Sequence, residues 1–323
     1  MGQSEQVLTD HAGAIARAYL GHERVESMGL ASRGQQGQVW RLATTDGVYA
    51  VKELIMRQTE ADAQVEVAYQ EAVLATGTVA MPRPRRTVDG QVLTEIAGHQ
   101  VRAYEWVELL PADQRLDPVL VGSVLAAVHQ IAFAPARPLH LWYTEPVGSD
   151  RWRQLADAAR AVRAPFADAF AAGIPALLRL EEVLEAPRHL QNCHRDLWAD
   201  NMLPLPGGGL CVVDWENCGL EDPGQEIPMS LIDFCFGDLA RVAALYAAYL
   251  EAGGPGRITG PGSFSMVIAQ FGHFWEAAVA GYVAPAASVD AQQRSLERIA
   301  ELQGTSLQVD HIEAMLDAIA TVR

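Results

Sequence analysis

Cys193-His194-Arg195-Asp196-Leu197-Trp198-Ala199-Asp200-Asn201, with Asp214 thirteen residues further on, decides how this chain is read. It puts an acid and an amide five residues apart on one tight loop. The Gly-rich stretch from Pro204 to Leu210 predicts a turn between short strands at Met202–Leu203 and Leu210–Val213. That hairpin returns the chain to a second acid. Phosphoryl transfer needs a group that orients an attacking hydroxyl and accepts its proton, and hard oxygen ligands for Mg²⁺ on the phosphates. Asp196 suits the first role, and Asn201 with Asp214 suits the second. His194 reads as a structural hydrogen-bonder and Arg195 as support for the loop.

Working outward, the cations are the next signal. Of the 24 basic residues one is a lysine, Lys52, and all the others are arginine. A compact ammonium on a flexible stem is therefore expected to be required there, where the planar fork of Arg would not serve. Lys52 ends the apolar run Tyr49-Ala50-Val51, so its charge needs anionic partners. Phosphate oxygens and a helix carboxylate would supply them. Glu71, nineteen residues on, is the first choice of carboxylate because Gln70-Glu71-Ala72-Val73-Leu74 resembles a helix of the aminoglycoside phosphotransferase family, and Glu66 is the alternative. Ahead of the lysine, Ser32-Arg33-Gly34-Gln35-Gln36-Gly37-Gln38-Val39 sits between two predicted strands. Glycines let backbone N–H groups come close to phosphate oxygens, so Gly34, Gly37 and Val39 join Lys52 and Glu71 as expected nucleotide-binding residues. An isolated G-x-x-G marks many ordinary hairpins; here the weight comes from its position before Lys52.

The rest of the chain divides by period. A helix is expected over 4–20, then strands to about 32, over 38–43 and over 48–54, with a turn at Thr45-Asp46-Gly47. A helix over 60–75 follows, then strands at 87–88 with 91–96 and at 101–106. From about residue 109 the pattern is mainly helical. Asp117-Pro118 is an N-cap and N1 pair opening a helix to His129. Further helices are expected over 152–185 with a break near Gly173-Ile174-Pro175, and over 225–252, 263–283, 288–303 and 309–322.

The order of parts is a Gly-rich turn, Lys on a strand, Glu on a helix, H-R-D-x-x-x-x-N, and an Asp after an apolar strand. That order resembles the protein-kinase-like superfamily and, more narrowly, the aminoglycoside phosphotransferase family of small-molecule kinases. Ser32 stands where the fuller kinase loop has its first Gly. The resemblance implies an α+β, bilobal protein-kinase-like fold, with a small antiparallel β-rich N-lobe (1–104), a hinge (105–108) and a larger helical C-lobe (109–323) holding the catalytic loop and acceptor pocket. It implies ATP or GTP with Mg²⁺ as cofactors, and backbone contacts from Glu105 and Val107 to the purine. His129, in Gly122-x-x-Leu125-Ala126-x-x-His129, resembles a helix of the family and reads as a packing or hydrogen-bonding residue. Asp222-Pro223-Gly224-Gln225-Glu226 resembles the family's structural D-x-x-x-[DE]. Only 11 residues separate Asp214 from Glu226, so no peptide-binding segment fits and the acceptor is expected to be a small molecule.

Charge suggests what kind. The formal net charge is −16, which argues against nucleic acid or an anionic membrane as partner. Nine acids and no Lys or Arg lie between Asp196 and Asp238. Such a run would attract metal ions and a cationic small-molecule acceptor, an aminoglycoside or similar antibiotic being the first choice. Asp200, Glu216, Glu221, Asp222, Glu276 and Trp275 are the candidate acceptor-side residues. A metabolic kinase acting on an amino alcohol, homoserine or a thiosugar is the second reading, and a nucleotide-binding pseudokinase module the third. The four cysteines lack metal-ligand spacing and suit a reducing cytoplasm. No apolar run is long enough for a membrane span and no secretory signal is expected. Either a monomer or a homodimer is compatible with these features.

Overall fold

The computed structural model describes residues 7–34, 37–134, 137–235, 237–305 and 307–322. They form two compact units, neither continuous in sequence. The first comprises Met1–Asp113, Ile131–Arg137 and His194–Gly219; the second comprises Gln114–Gln130, Pro138–Cys193 and Leu220–Arg323. The loop that carries Asp196, Asn201 and Asp214 therefore packs in the same unit as Lys52, although Lys52 and Asp214 are 162 residues apart.

The first unit is built on an antiparallel sheet. Helix α1 (Ala12–Leu20) ends at Gly21, whose left-handed φ of 76° no side chain adopts cheaply. Its inner residues Ile15, Ala16 and Tyr19, with Leu8, pack on Trp40, Leu42, Val51 and Val101. Strands β1 (Val25–Arg33), β2 (Gly37–Thr44) and β3 (Gly47–Leu54) form a meander, followed by helix α2 (Glu60–Thr76) and strands β4 (Pro84–Arg85), β5 (Thr94–Ile96) and β6 (His99–Glu105). The sheet order is β1-β2-β3-β6-β4, with β5 paired to β6. The strand expected at 87–88 forms instead at Pro84–Arg85. Thr87 and Gln91 close a turn there, with Thr87 N–H donating to Gln91 O at 2.8 Å.

Register matters for the site. Val39 stands opposite Lys52 across β2 and β3, and Lys52 stands opposite Arg102 across β3 and β6. Directly opposed residues share a sheet face, so the chain sets two cations side by side. Helix α2 is capped by Thr59, which accepts from Asp62 N–H at 3.1 Å. Its inward face carries Ala63, Glu66, Val67, Gln70 and Val73. The period of that face includes Glu66 and omits Glu71.

The second unit is helical. Its helices are Pro118–His129, Ser149–Ala161, Ala167–Glu181, Pro223–Cys235, Leu239–Glu251, Ser265–Val283, Val289–Gly304 and Val309–Ala320, besides one short turn of helix at Leu141–Thr144. Asp117 caps the first as expected, accepting from Val119 N–H at 3.0 Å. Two predicted helices are each divided. The stretch 152–185 breaks at Arg163, whose φ is 54°, and Pro175 lies inside a helix rather than at a break. The turn at Arg163 lets Ala164 and Phe166 enter a core with Trp152, Phe170, Trp275 and Leu302. The stretch 225–252 breaks at Gly237 (φ 82°), after which Asp238 caps the next helix through Ala240 and Arg241 N–H, both at 3.1 Å.

The helices Pro118–His129 and Leu239–Glu251 touch at Gly122. A Cβ there would lie 2.3 Å from Leu245 O and 3.1 Å from Tyr249 N. Those are backbone atoms and cannot yield without moving a helix. Gly122→Ala is therefore expected to destabilise the fold by about 1–3 kcal/mol, read from the midpoint of denaturant unfolding.

Candidate active site

The loop before Asp196 is held in a form its sequence alone would not choose. Arg195 and Asp214 both take left-handed conformations, φ 65° and φ 61°, which cost side-chain-bearing residues about 1 kcal/mol or more each. Specific bonds hold them. His194 Nε2 donates to Val213 O at 2.9 Å, and its ring meets Trp215 edge-on at 4.6 Å. Arg195 Nε donates to Asn217 O at 2.6 Å and Nη2 to Cys218 O at 3.2 Å. The guanidinium lies against Gly219, where a Cβ would sit 2.5 Å from Nη2. Both residues thus have the supporting parts expected of them.

These contacts present the Asp196 carboxylate. Oδ1 accepts from Trp198 Nε1 at 2.7 Å, and Oδ2 accepts from Asn201 Nδ2 and Asn217 Nδ2, both at 3.0 Å. Burial pushes its pKa up to about 6, against the lowering pull of those three bonds and of Lys52. Asp196 is therefore ionised near neutrality yet a better proton acceptor than a solvated aspartate. Asn217 was not singled out in the sequence; the signal for it is its place in Asp214-Trp215-Glu216-Asn217, directly after the returning acid.

Lys52 reaches the same loop. Its Nζ donates to Asp214 Oδ1 at 2.8 Å and also to Glu216 Oε2. Burial lowers its pKa, but Glu216 and Asp214 more than offset this and hold it above the ordinary lysine value, so the ammonium stays charged. Burial also pushes Glu216 up to about 7, against the attraction of Lys52. The helix carboxylate expected beside Lys52 is not there. Glu71 is exposed on α2 and pairs with Arg86 at 3.1 Å. Glu66, on the inward face, binds Arg102 at 2.8 Å. The reason is the helix period: the two acids are five positions apart, which turns Glu71 outward when Glu66 faces in.

The donor set suits a hard divalent cation. Asn201 spends its amide nitrogen on Asp196, which leaves Oδ1 as its acceptor, and Asp214 has a second carboxylate oxygen beyond the one bound to Lys52. Val213 N–H donates to Asn201 O at 3.0 Å, which fixes the two ligand-bearing segments against each other. An amide oxygen and a carboxylate are ligands of the type Mg²⁺ takes, alongside waters and phosphate oxygens.

Residues 29–260 match the model of the phosphotransferase enzyme family (APH). The chain belongs to that family. Among solved structures, spectinomycin phosphotransferase in complex with ADP and spectinomycin is 12% identical, with a TM-score of 0.68 over 96% of this chain and 98% of that one. Amicoumacin kinase bound to AMP-PNP and Ca²⁺ is 14% identical, with a TM-score of 0.58 over 94% of each chain. The microcompartment-associated aminopropanol kinase is 15% identical, with a TM-score of 0.59 over 98% of this chain and 99% of that one. At such identities the likeness shows the α+β protein-kinase-like fold. No curated protein sequence matches the chain.

The other expected residues of this phosphotransferase are placed as follows. Gly34 and Gly37 close the β1–β2 turn, Gly34 N–H donating to Gly37 O at 2.8 Å; Gln35 and Gln36 lie outside the described residues. Gly37 is required by space, since a Cβ would lie 2.4 Å from Glu53 O and 3.3 Å from the Lys52 stem. Val39 shares the Lys52 row. At the end of β6, Glu105 N–H is taken by Arg83 O at 2.8 Å and Trp106 N–H by Val48 O at 3.1 Å, while Val107 N–H donates to no described residue.

Of the acceptor-side candidates, Glu216, Glu221, Asp222 and Glu276 are each bonded within the fold. Glu221 is fully buried and accepts from Asp222 N–H at 2.8 Å. Asp222 accepts from Arg188, His189 and Gly224 N–H at 2.8–3.0 Å, as a cap for the following helix. Glu226 binds buried His129 at 2.9 Å, which is the hydrogen-bonding part expected of that histidine. Glu216 serves Lys52. Glu276 is bound to Arg151 at 2.6 Å and His273 at 3.1 Å. Trp275 is core, stacked on Phe170 at 5.7 Å. Asp200 is exposed. The nine-acid run is therefore not an open negative field. All four cysteines are buried thiols outside any disulfide, and among the described residues no helix is long and apolar enough to cross a membrane.

Proposed function

We propose that this phosphotransferase moves the γ-phosphoryl group of ATP or GTP to a hydroxyl of a small organic acceptor, with Mg²⁺ as the required metal. The observation that carries the reading is the Asp196 carboxylate, ionised, raised in basicity and fixed by three donors beside Asn201 and the Lys52–Asp214 pair. Asp196 orients the acceptor hydroxyl and takes its proton as the P–O bond forms. Lys52 neutralises charge on the nucleotide phosphates, with Gly34, Gly37 and Val39 beside them and the Glu105–Val107 backbone at the purine. Asn201 and Asp214 would hold the metal, which would supply charge neutralisation to the phosphates when bound. Catalysis here is positioning and charge stabilisation rather than covalent chemistry.

For the acceptor we propose a hydroxyl-bearing cationic small molecule acted on in the cytoplasm, with an aminoglycoside or similar antibiotic first. Support comes from the net charge of −16, which raises the local concentration of cations, and from the acceptors named for structural neighbours. One observation favours the second reading, a metabolic kinase for an acceptor such as an amino alcohol, homoserine or a thiosugar: the candidate acids Glu221, Asp222 and Glu276 are spent on internal contacts. A coupled nucleotide-consumption screen with Mg²⁺ across aminoglycosides, amicoumacin, aminopropanol, choline, homoserine and sugars decides between them. Turnover with an aminoglycoside or amicoumacin is expected. Turnover confined to aminopropanol, choline, homoserine or sugars moves the substrate to the second reading. Tight Mg-nucleotide binding without transfer to any acceptor would leave a binding module.

A further inference from the structure

Between the carboxylate of α2 and Lys52 stand two further side chains. Arg102 Nη1 donates to Glu66 Oε2 at 3.0 Å, and Nη2 lies at an ion-pair distance of 2.8 Å from Oε1. Glu66 also accepts from Gln58 Nε2 at 3.0 Å and Gln70 Nε2 at 2.6 Å. On its other side Arg102 Nη1 lies 3.5 Å from Glu216 Oε1, while Glu216 Oε2 accepts from Lys52. The Glu66 side chain is 0% exposed and the Arg102 side chain 1%. Packing alone does not call for this. A buried Arg–Glu pair is often no more stable than apolar side chains of the same volume. Register puts Arg102 directly across from Lys52, and its guanidinium lies over the Tyr104 ring at 5.3 Å.

We infer that Arg102 is a positioning residue for phosphoryl transfer: it extends the hold of the α2 carboxylate Glu66 to Glu216, and Glu216 fixes the Lys52 ammonium. The α2 helix thus reaches the lysine through a four-member chain, Glu66–Arg102–Glu216–Lys52, in place of one direct ion pair. Glu216 Oε1 accepts no hydrogen bond among the described residues, and the Arg102 guanidinium faces it at an ion-pair distance of 3.5 Å. The inference rests on the proposed role of Lys52.

Lys52 is the sole lysine, so its reactivity can be read alone. The test acylates the metal-free, nucleotide-free protein with a lysine-directed reagent and follows the Lys52 peptide by mass spectrometry. It also measures kcat and nucleotide KM. The main variant is Glu66→Gln/Arg102→Met, which removes both charges together and leaves no unpaired buried ion at that pair. Arg102→Lys, which keeps the charge and loses the fork, is the second variant should the first not fold. Either variant is expected to label at Lys52 at least about threefold faster, because Glu216 is no longer held against the ammonium, and to lose about tenfold in kcat. In a Glu216→Gln background the further loss in kcat shrinks to under about twofold, as coupled residues require. Unchanged labelling overturns the inference, and so does unchanged kcat or a fully additive loss with Glu216→Gln. Labelling needs no turnover, so its outcome stands apart from the acceptor chemistry: a wild-type protein that transfers no phosphoryl group sinks the functional reading alone.

Discussion

Asp196→Asn lowers kcat by at least about 10² and leaves nucleotide affinity nearly intact. The amide keeps the volume of the carboxylate but cannot take the proton of the attacking hydroxyl. Nucleotide phosphates are expected to contact Lys52 and the metal rather than Asp196, so binding is spared. The measurement is kcat at saturating nucleotide and acceptor, beside a direct titration of nucleotide binding. A kcat close to wild type would remove Asp196 from its part in the chemistry. The same variant tests the environment of the carboxylate without any substrate. Its folded-state pKa, raised to about 6 from an ordinary 3.8, means the folded chain holds that proton more tightly than the unfolded chain. The ionised group therefore costs stability above about pH 6, and the cost vanishes below about pH 4. Asn does not titrate. The stability difference between the two metal-free proteins is thus expected to shift in favour of the variant by about 1–3 kcal/mol as pH rises from 4 to 6, and to be flat above that. A difference independent of pH would mean that the carboxylate is not held in a desolvated site.

Asp214→Asn is expected to lower kcat/KM by about 10³ and to move the Mg²⁺ requirement at least about tenfold higher. Two effects act together. A neutral amide is a weaker ligand for a hard cation, and Lys52 loses one of its two anionic partners. Metal titration separates them. If Asp214 ligates Mg²⁺, excess metal restores part of the lost rate. If Asp214 serves only to hold Lys52, the loss is the same at every Mg²⁺ concentration. Glu216 remains on Lys52 in this variant, so the ammonium is not left buried without a counter-charge.

Much of this was readable in the chain because it is local. The spacing of His194, Asp196, Asn201 and Asp214 is a property of one loop and one hairpin, in which Asn201 bonds Asp196, and both His194 and Asn201 bond Val213, the residue before Asp214. The meander ahead of Lys52 followed from strand period and turn residues, and Asp117 capped its helix as its type predicts. What failed was pairing at long range. Spacing could not distinguish Glu66 from Glu71, since both lie on α2 and only the sheet decides which face turns inward. Arg102 was passed over because an arginine in an apolar strand carries no partner in its own neighbourhood; its partners are 36 and 114 residues away, at Glu66 and Glu216. The acidic run misled for the opposite reason. Counting charges assumes they face solvent, and Glu221, Asp222 and Glu226 face backbone amides and a buried histidine instead.

The most direct test of the account is transfer of an isotopically labelled γ-phosphoryl group. Wild-type protein and Asp196→Asn are incubated with γ-labelled ATP, Mg²⁺ and the acceptor that the screen selects, at equal nucleotide occupancy. The account predicts that the label appears as a phosphomonoester on an acceptor hydroxyl with wild type and is reduced at least about 10² in rate with the variant. Label recovered only as inorganic phosphate, or transferred equally fast by both proteins, would contradict it.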